Sequence, residues 1–190
     1  MTFSLPWKDG IIPGMTEIRT YRKEDREALE RICTITDPKH FEPEYLYTLY
    51  LHYYIEEEGD NTLVAAVDDR VVGYILSTES YDRWKRVMRE KYLSSAGEKT
   101  RMNGEESIAF YSPYAGEYPA HMHIDIDPEY QRMGLGTALV DALSERLRKK
   151  NVPGLMLGVD RDNTKGVSFY RKYGFTQLDD KGCVYGLLLS

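Results

Sequence analysis

Only two cysteines, Cys33 and Cys183, occur in the 190 residues. That is too few for a disulfide framework, and each reads as a small buried hydrophobe. No apolar run reaches the ~20 residues that a membrane-spanning helix needs. Met1 to Met15 lacks the continuous apolar core of a secretion signal. A transmembrane protein and a secreted disulfide scaffold are thereby excluded, and the cytoplasm is the expected setting. An excess of positive charge is also missing: 31 acidic side chains face 25 basic ones, for a net charge of −6. That balance argues against nucleic acid as the main partner and suits a cationic amine. Histidine is scarce, with four residues at 40, 52, 121 and 123, so few imidazoles are available to hold a metal. No internal repeat or low-complexity tract is present.

The rest of the composition is that of an ordinary globular domain, 42% hydrophobic and 29% charged, long enough for a sizeable core. Tyrosine is the outlier at 16 residues. One group runs from Tyr45 to Tyr54, and others flank a strand at Tyr111, Tyr114, Tyr118 and Tyr130. Such rings pack at core edges with wetted hydroxyls, or they form an aromatic wall around an acceptor.

Residues 1–14, with two prolines and two glycines, read as an irregular arm ahead of a single domain over 15–190. Thr16 to Tyr21 alternates as a strand, and Glu24 to Thr34 carries a helical apolar face. Pro43 is placed to open a second helix. Leu63–Val67 and Val71–Ser77 form β-rich runs around Asp68-Asp69-Arg70, a hairpin signal. Ser80 to Gly116 reads as a charged helix (Asp82 to Leu93) followed by a loop-like stretch containing Gly97, Gly104, Pro113 and Gly116. We expect an insertion over about 80–117, serving as a lid beside an acceptor site. Val184 to Leu189 reads as an exposed final strand able to pair with a second subunit, so a monomer or a homodimer is expected.

The densest information lies at Gln131-Arg132-Met133-Gly134-Leu135-Gly136. Upstream, His121 to Asp127 alternates polar and apolar residues as a half-buried strand does. Downstream, Leu135, Leu139, Leu143 and Leu147 recur on one helical face. Glycines at a helix mouth allow close backbone approach and leave outward N–H groups suited to a phosphate. A Walker loop would need Gly-Lys-Ser/Thr, but Thr137 follows Gly136 directly; a dinucleotide fingerprint would need a small residue where Leu139 stands.

The run Gln131–Gly136 instead resembles the Q/R-x-x-G-x-G/A signature of the GNAT superfamily of acyl-CoA-dependent N-acetyltransferases. Ile126-Asp127-Pro128 before it, Gly154 to Asp160 with Asn163 after it, and Phe169-Tyr170-x-x-x-Gly174-Phe175 last follow in that family's order. Tyr118 to Asp125 further resembles the acetyltransferase-like domains associated with nucleocytoplasmic O-GlcNAc hydrolases and their free-standing bacterial relatives. The resemblance implies a mixed, mainly antiparallel α/β sheet of six or seven strands flanked by helices on both faces. It implies acetyl-CoA or coenzyme A as the cofactor, held by the amides of Arg132, Met133, Gly134, Leu135, Gly136 and Thr137, with Gln131 opening the motif. The backbone of Ile126 would pair with the pantetheine arm, and Asn163 and Tyr170 would face the cofactor.

Direct acetyl transfer to an amine needs a base for the acceptor and an acid for the leaving thiolate. Tyr170 is the candidate acid. His121, His123, Asp125 and Asp127 share one strand face, where paired carboxylates raise each other's pKa; Asp125 or His123 is the candidate base or ammonium holder. The acceptor would be a small-molecule or peptide amine. Two other readings stay open. The same fold could serve as a catalytically inactive acyl-CoA- or peptide-binding module, or His121, His123 and Asp125 could serve a metal-dependent hydrolase.

Overall fold

Seven strands hydrogen-bond in the order β1-β2-β3-β4-β5-β7-β6, in a computed structural model that describes residues 15–37 and 39–189. The strands are β1 (Thr16–Thr20), β2 (Leu63–Val67), β3 (Arg70–Thr78), β4 (Ala120–Ile126), β5 (Gly154–Gly158), β6 (Thr176–Gln177) and β7 (Val184–Leu188). β1–β2, β2–β3, β5–β7 and β6–β7 are antiparallel, whereas β4–β5 is parallel. The expected mixed, mainly antiparallel α/β sheet is therefore the observed one, with seven strands. The arm expected over 1–14 lies outside the described residues.

Contacts divide the chain into two units, each discontinuous in sequence. The first holds the described residues up to Ser77 together with His123–Leu143; the second holds Thr78–Met122 and the chain from Ser144 onward. β4 contributes its end to the first and its start to the second.

In the first unit, β2 and β3 close through Asp68-Asp69, both in the left-handed region at φ 49° and 64°. That pair of positive φ values matches the twist of the flanking strands and fixes the hairpin. α1 (Arg26–Thr36) buries Leu29, Ile32 and Cys33. α2 (Pro43–Tyr50) starts on its proline as expected, and Leu51 interrupts the helix before α3 (His52–Glu57). α6 (Leu135–Lys149) sets out from this unit with Leu135, Ala138, Leu139, Val140 and Leu143 buried.

The second unit carries the segment expected to be partly loop. It is instead helical: α4 (Tyr81–Val87), a π-helical continuation over Met88–Leu93, and α5 (Glu98–Tyr111). Gly104 misled the sequence reading because it sits inside α5 for contact rather than for a turn. A Cβ there would lie 2.5 Å from Leu93 Cδ2, so any larger residue would force the Leu93 side chain to shift where α5 closes on the π-helical turn. The segment is fastened down by its aromatics. Trp84 lies 4.4 Å from the buried His121 ring, and Tyr111 stacks on the same ring at 4.7 Å. Tyr111 Oη accepts the Gly158 N–H at 3.1 Å.

The expectation for the last strand also changes. β7 is paired with β5 on one side and with the short β6 on the other, so it is not a free edge; the sheet ends on β1 and β6. Among the described residues no helix is long and apolar enough to cross a membrane.

Candidate active site

Ile126 and the loop after it form the first part of the site. The Asp127 N–H donates to the Val72 carbonyl of β3 at 2.8 Å. Strand hydrogen-bonding directions alternate, so the N–H and C=O of Ile124 and Ile126 point to the opposite edge. On that edge the β4–β5 ladder consists of two rungs, Ala120–Leu155 and His121–Met156. Backbone polar groups late in β4 thus lie beyond the last rung. The Ile126 carbonyl accepts the Gln131 Nε2–H at 3.0 Å, which ties the motif's first residue back to the strand.

Arg132 and Gly134 both have positive φ, 66° and 83°. Left-handed residues next to a helix start turn successive N–H groups inward and make an anion-binding concavity. The first intrahelical bond of α6 runs from the Ala138 N–H to the Gly134 carbonyl at 3.1 Å. The amides of Leu135, Gly136 and Thr137 precede it and are left outside the helix's own ladder. Arg132, Gly134 and Thr137 are exposed and Gly136 is half-buried, while Leu135 is buried and anchors the turn. The loop therefore has the donors, the helix dipole and the open approach that a diphosphate requires.

The second part of the first unit's site is the face of β4 that carries His123, Asp125 and Asp127. These residues go to three different neighbours. His123 is hydrogen-bonded to Tyr54 Oη at 3.0 Å, and the edges or faces of Tyr50 and Tyr54 close around it at 5.5 and 5.2 Å. Burial pulls its pKa down to about 4, so it is a neutral imidazole at pH 7. Asp125 accepts a 2.6 Å hydrogen bond from Tyr74 Oη. Burial raises its pKa, against the hydrogen bonds from Tyr74 and Thr36, which lower it; Asp37 adds a like charge that raises it. Asp127 accepts from Arg31 Nη1 at 2.9 Å and from the Glu129 N–H at 3.2 Å. Burial opposes its ionisation, but Arg31 and the Glu129 amide outweigh that and hold its carboxyl below the ordinary range. The expected mutual repulsion of Asp125 and Asp127 does not govern either group. Asp127 caps the turn after β4, and Asp125 has no cation among the groups that act on it.

Asn163 and Tyr170 belong to the second unit, Asn163 at the N-cap of α7 (Thr164–Tyr173) and Tyr170 within it. Asn163 Oδ1 caps the helix by accepting the Gly166 N–H at 2.9 Å. Tyr170 is half-buried, with Phe175 at 5.7 Å and Tyr185 at 6.5 Å between ring centroids. Gly174, at φ 119°, ends the helix and donates its N–H to the Tyr170 carbonyl at 3.1 Å. His121 is also in this unit, enclosed by Trp84 and Tyr111 and fully buried. Among the described residues no three His, Cys, Asp or Glu side chains converge as a metal site would need.

Sequence reasoning missed Tyr74, Tyr54 and Arg31. Arg31 carried no signal, being one of several charged residues on an amphipathic helix. Tyr74 carried one: it is a phenol inside the aliphatic run Val71 to Leu76, and a buried hydroxyl needs a polar partner.

The profile of the Acetyltransferase (GNAT) family matches residues 26–175. The [ribosomal protein bS18]-alanine N-acetyltransferase of Escherichia coli K12 is 40% identical over 88 residues, which is 46% of this chain and 57% of that protein. The chain thus spans little more than half of that relative. The crystal structure of SsHAT superposes with a TM-score of 0.82 at 27% identity, covering 94% of this chain and 100% of that one. The PaiA N-acetyltransferase of Thermoplasma acidophilum in complex with coenzyme A superposes at 0.57 with 18% identity, over 92% and 99% of the two chains, a likeness of fold alone.

Proposed function

Since the chain belongs to the acetyltransferase (GNAT) family, we propose that it is an N-acetyltransferase that moves the acetyl group of acetyl-CoA directly onto an amine acceptor. The observation that carries this reading is the left-handed Arg132–Gly134 turn with the Leu135, Gly136 and Thr137 amides held ahead of the first helix bond. Acetyl-CoA bound there supplies the activated acetyl thioester. The loop amides hold its diphosphate, and the Arg132 guanidinium adds charge. The outward N–H of Ile126 would donate to the pantetheine arm as an added strand requires, while its carbonyl is held by Gln131. Asn163, whose Oδ1 is engaged as a helix cap, has its side-chain N–H groups left to donate.

The acceptor reaches the enzyme as an ammonium ion and must lose a proton before it can attack. Asp125 is the base or ammonium holder: it is the carboxylate with no cation among the groups acting on it. His123, neutral and bound to Tyr54, shapes the wall beside it. Tyr170 gives its phenolic proton to the departing sulfur and recovers it from solvent. The relative from E. coli acts, by its name, on a protein alanine, and a peptide or protein amine is the acceptor class we favour over a free small amine. The narrower kinship with O-GlcNAc hydrolase-associated domains rests on Tyr118–Asp125. A cytoplasmic setting suits a chain with two unpaired cysteines.

Calorimetric titration with acetyl-CoA and with coenzyme A tests the cofactor part. Saturable binding that is lost in Gly134→Asp is expected, because an aspartate at φ 83° both strains the turn and places a negative charge at the diphosphate. Undiminished binding in that variant would refute the placement.

A further inference from the structure

Tyr74 has no part in the chemistry above, yet it donates a hydrogen bond of 2.6 Å to Asp125. We propose that Tyr74 is a positioning residue for acetyl transfer: by donating to Asp125 Oδ2 it holds that carboxylate in one orientation toward the acceptor amine. The proposal rests on the reading of Asp125 as the acceptor-side base.

The geometry is that of a charge-assisted bond. The Tyr74 side chain is fully buried, and its 2.6 Å oxygen–oxygen distance to Asp125 falls in the short range of hydroxyl donors to carboxylates. The backbone is built to allow it. Beside Tyr74, Gly73 lies so close to β4 that a Cβ would meet Ile126 Cγ1 at 3.1 Å and the Asp125 carbonyl at 3.2 Å. The two strands are drawn together where the phenol must reach across.

The groups around Asp125 leave the phenol with an unusual share of the task. β3 contributes Tyr74, α1 contributes Thr36 and Cys33, and the chain after α1 contributes Asp37. Asp37 is occupied by the Lys39 and Phe41 amides, at 2.9 and 2.6 Å. Burial lifts the Cys33 thiol to about 12 and the Tyr74 phenol well above its ordinary value. Both are therefore protonated at neutral pH, and Tyr74 is a standing donor rather than an acid. None of these groups is a cation. In most buried carboxylates an arginine or lysine fixes orientation and charge; here a tyrosine and a threonine hydroxyl do so, which leaves the counter-charge to the acceptor. In the transfer, an N–H bond of the acceptor ammonium breaks and an O–H bond forms on Asp125. Tyr74 keeps its proton throughout.

The test reads the hydrogen bond and the chemistry separately. In protein labelled with 13C at aspartate Cγ and tyrosine Cζ, the Tyr74 Cζ resonance of the unmodified protein should move with the same midpoint as Asp125. This measurement needs no variant. In Tyr74→Phe the Asp125 midpoint should rise by about one pH unit. Tyr81→Phe, which removes an equally buried hydroxyl from the Ile108 carbonyl, should leave it in place. With acetyl-CoA and a peptide bearing a free α-amine as the probe pair, the acid limb of kcat/KM should rise in Tyr74→Phe by the same amount. A Tyr74 resonance flat through the Asp125 titration, or an Asp125 midpoint unchanged in Tyr74→Phe, would overturn the proposal. So would a shifted midpoint with an unshifted limb. Full turnover in Asp125→Asn would instead remove the base reading beneath it, and the resonance measurements tell that failure from the other.

Discussion

His123 makes the protein lose stability on mild acidification, and the size of the loss follows from its surroundings. The ring is enclosed by Tyr50 and Tyr54 and hydrogen-bonded to Tyr54 Oη. Burial lowers its pKa from 6.5 to about 4. In the unfolded chain it protonates near 6.5, so between those values the unfolded state binds more protons than the folded one. Stability is then full above pH 6.5 and falls as the pH drops toward 4. A shift of that size is worth roughly 3 kcal/mol at its limit, and partial exposure of the ring to solvent reduces it toward about 2 kcal/mol. The perturbation is His123→Gln, which can keep the bond to Tyr54 but cannot titrate. Urea denaturation from pH 7.5 to 4 would be followed for both proteins, and the difference between them plotted against pH. The other histidines and carboxylates cancel in that difference. It should be flat above pH 7 and should then change by about 2–3 kcal/mol in the variant's favour by pH 4. A difference that stays level across the whole range would refute the claim that the ring is held neutral by burial.

Two further outcomes test the packing around the site. Gly104→Val should lower stability by about 1–3 kcal/mol, read as a drop in Tm, because its Cβ would overlap Leu93, which is itself buried beneath α5. An unchanged Tm would mean that α5 does not close on the π-helical turn. Arg31→Gln should cost about 1 kcal/mol at pH 7, the low end for losing a charged partner because Arg31 is 39% exposed. Asp127 has a depressed folded pKa, so its contribution is present above about pH 4 and lost as pH falls from there through the lower folded pKa. The Arg31→Gln cost should therefore shrink in acid denaturation curves as pH falls below about 4, and a cost that stays undiminished there would contradict the pairing.

Much of this arrangement was legible beforehand, for identifiable reasons. β1, the β2–β3 hairpin, β4, α2 and α6 announce themselves through local rules: alternation, paired turn residues, a proline at a helix start and an apolar helical stripe. The cofactor loop was legible because its glycines have a geometric purpose that survives in one dimension. α5 was not, since Gly104 as a helix–helix contact and Gly104 as a turn are indistinguishable without Leu93 in place. The edge status of β7 was hidden because the strand that covers it, β6, is two residues long and has no periodicity to detect. On β4 the alternation correctly put His123, Asp125 and Asp127 on one face, but their partners Tyr54, Tyr74 and Arg31 come from distant segments. What distinguishes an Asp125 with no cation acting on it from a salt-bridged Asp127 is tertiary, and two identical side chains two residues apart give no hint of it.

The account stands or falls on whether binding and turnover separate at Tyr170 and Asp125. The direct measurement is acetyl transfer from acetyl-CoA to a peptide bearing a free α-amine, followed by thiol release and by mass, beside calorimetric binding of acetyl-CoA, in the unmodified protein, Tyr170→Phe and Asp125→Asn. The account predicts acetylated peptide in the first, turnover lowered at least tenfold in each variant, and acetyl-CoA affinity unchanged in all three. Binding without any transfer in the unmodified protein, or transfer at full rate in both variants, would contradict it.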